Sequence, residues 1–179
     1  MKNIWLALAA ALSACAAQST DDSSMSHACP PSLRFTYVDR AHGFRICLPA
    51  GLTKETPNDY LADSVQFTGF ARPPKTNLRS KRLVIVPGEY DLLKSATPFG
   101  DFSANRITFE RAKFEEGSAG HLTLHIFYSW KHGNSAINFD FEHRSVNIYN
   151  FDPPQRPAEY NRDAQIKLTK QVMSTFRKL

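Results

Sequence analysis

From His121 to Arg144 the chain alternates apolar and polar residues on both sides of a glycine-containing turn. That alternation has period two, which only an extended strand turns into one buried face. Taking His132-Gly133 as a two-residue type I′ loop sets a register. Trp130 then faces Ser135, Tyr128 faces Ile137, Ile126 faces Phe139 and Leu124 faces Phe141. These paired apolar side chains fall on one face. The other face carries His121, Thr123, His125, Asn138, Asp140, Glu142 and Arg144. A slip by one residue would mix the two sets. One face is therefore expected to be covered and the other wet.

The remaining chain supplies the cover. Ile166, Thr169, Val172, Met173, Phe176 and Leu179 recur at spacings of three and four, the stripe of an amphipathic helix. Further strands are expected at Leu33–Asp39 and Phe44–Leu48 as a hairpin, then at Ser64–Phe70, Arg82–Val86 and Arg106–Phe114, with a short edge strand at Val146–Tyr149. Tyr90–Ala96 reads as one or two helical turns stopped by Thr97-Pro98, and Glu115-Glu116-Gly117 as a charged turn. Asp152–Pro157 holds three prolines and reads as a connector. The expected class is α+β, an antiparallel sheet packed with a C-terminal amphipathic helix, in a single domain over 32–179.

The N-terminus speaks to address. Lys2 is followed by a 9-residue apolar run, Ile4–Leu12, too short to cross a bilayer, for which about 20 residues are needed. It has the proportions of an export signal. Leu12-Ser13-Ala14-Cys15 resembles the bacterial lipobox. The resemblance implies a signal peptide at 1–14, cleavage before Cys15, a lipid on the Cys15 sulfur and an acyl chain, palmitate as the expectation, on the new amine. Two or more chains anchor stably. The competing reading is an ordinary signal peptide with a chance cysteine. Ala16 rather than Asp follows Cys15, which in this lipoprotein class points to the outer membrane, facing the periplasm. Residues 15–31 form the lipidated cysteine and a tether; the polar stretch Ala16–Ala28 would span about 45 Å when extended.

With Cys15 lipidated, Cys29 and Cys47 remain, and an even pair in an oxidising compartment usually bonds. A Cys29–Cys47 disulfide is expected. A catalytic thiol is the rival, but no Cys-x-x-Cys or paired base is near. Without Lys2, the 22 Lys and Arg become 21 against 17 Asp and Glu, a net +4. That is too mild for a nucleic-acid binder.

The stretch Gly43–Leu52, GFRICLPAGL, resembles the Gly-Phe-x-Ile-x-x-Pro hairpin of PsbP-like and DcrB-like domains. So does the element order, closing on a terminal amphipathic helix that ends STFRKL, Ser174–Leu179. The resemblance spans about Leu33 to Leu179 and implies a PsbP-like α/β sandwich. Most members of that superfamily bind other proteins, and they share no catalytic residues. The Cys29–Cys47 pair is not part of the pattern.

Three candidate sites follow. His121 and His125 have a metal-ligand spacing for a helix, but on a strand they stand about 13 Å apart. His125 and Asp140, with Glu142 diagonal, form a cross-strand group that would hold a cation or act as acid and base; a plain polar pair is the simpler reading. Arg72, Lys75, Arg79, Lys81 and Arg82 lie in a stretch with no acid, read as a loop for an anion or a protein partner, against a merely solvated loop. No zinc motif, phosphate-cradling glycine loop or nucleophile elbow is present. The expected function is a non-enzymatic binding module, without cofactor or nucleic acid, for a protein or envelope component. An enzyme or metal-dependent binder on the His125, Asp140 and Glu142 face is the alternative, and a toxin-neutralising immunity lipoprotein a further one.

Overall fold

The computed structural model describes residues 28–55 and 63–179. The expected signal peptide, Cys15 and the tether as far as residue 27 lie outside the described residues. Among the described residues there are two antiparallel sheets. The larger has seven strands: β3 (Thr53–Glu55), β4 (Val65–Thr68), β5 (Leu78–Pro87), β6 (Thr97–Ala104), β7 (Ile107–Ser118), β8 (His121–His132) and β9 (Ser135–Val146), in the order β3-β4-β5-β9-β8-β7-β6. The smaller joins β1 (Phe35–Asp39), β2 (Phe44–Leu48) and β10 (Arg177–Lys178), with β2 central. One helix, α1 (Arg162–Met173), precedes β10.

The apolar face of the β8–β9 hairpin is the floor of the core. Ile126, Tyr128, Phe139 and Phe141 are joined there by Leu83 and Ile85 of β5 and Phe109 of β7. The cover is α1 together with the small sheet, which contributes Phe44, Ile46 and Leu48. At the centre Phe176 stacks on Phe44 at 5.3 Å and meets Phe109, Trp130 and Phe139 at 5.1, 5.0 and 5.7 Å.

The hairpin register differs from the expected one by two residues. Trp130 faces Ile137, Tyr128 faces Phe139 and Ile126 faces Phe141; the loop is Gly133-Asn134. The positive φ falls on Gly133 (60°) and not on Asn134. A glycine at the first central position suits a type II′ turn, whereas type I′ needs positive φ at both. A slip of two keeps each side chain on its face, so the core survives the correction and only the cross-strand partners change.

Three further expectations are corrected. The helix does not run on to Leu179. It ends at Met173, and Asn105 donates to the exposed carbonyls of Ser174 and Phe176. The chain then extends, pairing Arg177 and Lys178 with Arg45 and Phe44, which satisfies the open edge of β2. Val146–Tyr149 is no edge strand: the Asn147 side chain accepts from the Tyr149 N–H and turns Ile148–Asn150 into a short 3-10 segment. Glu115-Glu116-Gly117 is not a turn either but the end of β7, and the chain reverses at Ala119-Gly120.

Cys29 and Cys47 are bonded, with Cα atoms 5.7 Å apart. The bond fastens the start of the described chain to the middle of the small sheet. Replacing both cysteines by serine is expected to cost about 3 kcal/mol, given the separation of 18 residues. Urea unfolding of the oxidised chain against the double variant measures this. Equal midpoints would show that the bond adds nothing to stability.

Candidate functional site

The second face of the large sheet is not the wet surface expected. Leu92 and Leu93, on a short 3-10 segment at Asp91–Ser95, and Tyr90, which caps it, fold over Val84, Val86 and Phe127 and make a small second core. Beside that flap lies an open cleft of about 780 Å³. Its lining includes Arg82, Tyr90, His121, Thr123, His125, Glu142 and Arg144.

The polar residues of β8 and β9 lie at and beneath this cleft. Asp140 is fully buried and His125 is 3% exposed. His125 stands directly across from Glu142, with Asp140 diagonal, the reverse of the expected arrangement. Its Nδ1 nevertheless meets Asp140 Oδ2 at 2.9 Å, and the Tyr90 hydroxyl donates to the same oxygen at 2.9 Å. Glu142 is taken by Arg82, its register partner on β5, through Nε at 2.7 Å. The two acids are thus shared out, Asp140 to His125 and Tyr90 and Glu142 to Arg82.

Each group's ionisation reflects that neighbourhood. Burial pushes the His125 pKa down, but the hydrogen bond and charge of Asp140, with Glu142 and Glu116, more than offset it, and the net shift is upward. Burial and the Asp140 charge push Glu142 up against the pull of Arg82. Tyr90 is raised by burial and by Asp140. On the opposite face, under α1, His143 is held down to about 4, first by burial and then by the Lys81 amine.

These shifts set a pH dependence. The unfolded chain protonates His143 near 6.5, while the native one resists until about 4. Its stabilisation is present above 6.5 and is lost as pH falls, ~3 kcal/mol in all. His125 has the opposite sign: its contribution is present below the unfolded value and is lost as pH rises through the raised native one. Glu142, also raised, takes its proton first in the native state and softens the acid loss. Stability is therefore expected to peak near pH 6.5. His143→Gln should flatten the acid limb in urea titrations; a limb unchanged in that variant would contradict the assignment.

His125, Asp140 and Glu142 place one ligand atom each within 4.8 Å of one another. The two carboxylates are nevertheless engaged, while His125 Nε2 is buried without a hydrogen-bond partner. Asp140 serves His125 and Tyr90, and the Arg82 guanidinium takes the place at Glu142 that a metal ion would need. The residues read as a buried ion-pair network and not as a metal cage. His121 lines the cleft but is not part of that group.

The five basic residues read as one loop are dispersed. Leu78 is buried and pairs with Ser145, so β5 begins there and Arg79, Lys81 and Arg82 are strand residues. Lys81 turns inward; its amine donates to Gln165 under α1, and burial pushes its pKa down. Lys75 sits on the loop outside the cleft, while Arg72, Arg79 and Arg82 line it and Lys81 contributes to its wall. Tyr90, Glu116 and Phe70 are cleft residues that sequence reasoning missed. Only tertiary folding brings Tyr90 over β9. The alternation of β7 would have placed Glu116 on the cleft face had its strand not been ended early.

The solved structures that resemble this chain include two distant ones. A protein from Bacteroides thetaiotaomicron aligns at 13% identity with a TM-score of 0.48, over 80% of this chain and 48% of that one. The chain thus spans about half the length of that protein. Cyanobacterial PsbP (CyanoP) from Synechocystis aligns at 12% identity with a TM-score of 0.48, over 87% of this chain and 98% of that one. Structural neighbours include a PsbP fold at low identity. No family model and no curated protein matches the chain. The chemistry of the cleft rests on its own geometry.

Proposed function

We propose that this chain is an exported lipoprotein, anchored through Cys15 at the outer membrane and facing the periplasm, whose cleft binds a ligand or partner without transforming it. The observation that carries this reading is the set of side-chain hydrogen bonds on the cleft floor. Asp140 holds both His125 and Tyr90, and Glu142 holds Arg82, so the floor is preformed, as suits a binding site. His125, the natural general base, is nearly sealed from solvent. The address is supported by the lipobox and by the disulfide, which suits an oxidising compartment.

A photo-crosslinking residue at Thr123, inside the cleft, is expected to trap a discrete species in the native envelope. The same residue at Lys167, exposed on α1, is expected to trap none. Equal adducts from both positions, or none from Thr123, would overturn the reading. Mass spectrometry of the mature chain should find it beginning at an acylated Cys15; an intact leader would remove the anchor.

A further inference from the structure

We propose that the end of the cleft bounded by Arg79 and Arg144 is an anion subsite that takes a phosphomonoester. The inference rests on the cleft being the ligand seat and adds the chemistry of what sits there. The β5–β9 register shifts between Leu78 and Ser80, so Arg79 is an extra residue in its strand. Such a bulge re-aims a side chain. Arg79 and Ser80 both line the cleft, and Arg144 stands across from Ser80 on β9.

Among the described residues, the side chains of Arg79 and Arg144 make no hydrogen bond and no ion pair. The nearest acid in the same cross-strand row, Glu116, stands beyond Thr123 from Arg144. Arg82 is spent on Glu142, and His125 on Asp140. Of the other cleft acids, Glu55 accepts from the Thr68 hydroxyl and Glu116 lies 3.7 Å from His125 Nε2. Arg72 adds a third guanidinium, fixed in place by donating to the Arg79 carbonyl.

Hydroxyls complete the set. Ser80, Ser118 and Thr123 line the same cleft, and Thr123 is the β8 partner of Arg144. One carboxylate is satisfied by a single guanidinium fork. Two free forks with hydroxyls around them offer more donors than a carboxylate can use, and suit the three terminal oxygens of a phosphomonoester. That group occurs on a soluble metabolite and on a lipid headgroup alike.

The test is calorimetric titration of the full chain with two probes, inorganic phosphate and dihexanoyl phosphatidic acid, with dihexanoyl phosphatidylcholine as control. Saturable binding of at least one phosphate probe and none of phosphatidylcholine is expected. Binding of both probes points to the phosphate group alone; binding of phosphatidic acid only points to a lipid headgroup; either supports the subsite. Arg144→Gln should weaken binding at least tenfold, the double variant Arg79→Gln/Arg144→Gln should abolish it, and Lys75→Gln should leave it unchanged. A rise in the melting temperature of the unaltered chain with phosphate gives a readout that needs no variant. No saturable binding of either probe, equal binding of phosphatidylcholine, or a double variant that binds like the parent would overturn the subsite. If the Thr123 crosslink persists in that event, the cleft remains a ligand seat and only its anion chemistry falls.

Discussion

Phe176→Ala is expected to cost about 3–5 kcal/mol of folding stability, a large share of the roughly 5–15 kcal/mol that holds a domain together. The ring is fully buried and touches four other aromatic rings: Phe44 from the small sheet, Phe109 from β7, Trp130 from β8 and Phe139 from β9. Truncation removes the ring's own transfer energy and leaves a hole. The rings around it are held by four different strands and cannot all close in. The position also couples two elements, because Phe176 lies between α1 and β10 and its carbonyl accepts from Asn105. Loosening it frees the last strand from the edge of β2. Urea unfolding gives the number. A loss below about 1 kcal/mol would mean that the junction of the two layers is not held by this ring.

How much of this was legible before folding depends on what each signal can encode. Alternation around Gly133 fixed the faces of β8 and β9 because any even slip preserves them, yet it could not fix the partners. Those depend on whether the glycine takes the first or the second turn position. The strand β6 escaped notice because TPFGDFSA is polar and broken by Pro98 and Gly100. Its place at the edge of the sheet is where a proline is tolerated, and the register shifts between Pro98 and Asp101.

The basic run misled for a different reason. Counting charges from Arg72 to Arg82 says nothing about direction. Burial of Asn77 and Leu78 starts a strand, and the pleat then sends Lys81 and Arg82 to opposite faces. The polar sheet face was read as wet because Tyr90, Leu92 and Leu93 sit on a segment too short to show a periodicity. Only its packing on Phe127 makes it a lid for half that face. His125 and Asp140 were correctly brought together, and for a robust reason: they share a face, and the diagonal of a sheet is within reach of an imidazole.

The largest polar effect is expected at Asp140. Asp140→Ala should cost roughly 3–5 kcal/mol, because it leaves His125 and the Tyr90 hydroxyl buried without their acceptor. Asp140→Asn keeps the shape and an oxygen but removes the charge, and should cost less. Both changes should lower the pKa of His125, since Asp140 is the chief influence holding it up, and should let Glu142 fall, since the Asp140 charge helps to raise it. NMR titration of the imidazole reads the first effect directly. A cycle with His125→Ala separates pairing from packing. If the two residues form one buried pair, the double variant should cost clearly less than the sum of the singles, because each single change strands the other partner. Strict additivity, or a His125 pKa unmoved in Asp140→Asn, would show that the 2.9 Å contact is proximity alone. The floor of the cleft would then lack the preformed rigidity that makes it a binding site.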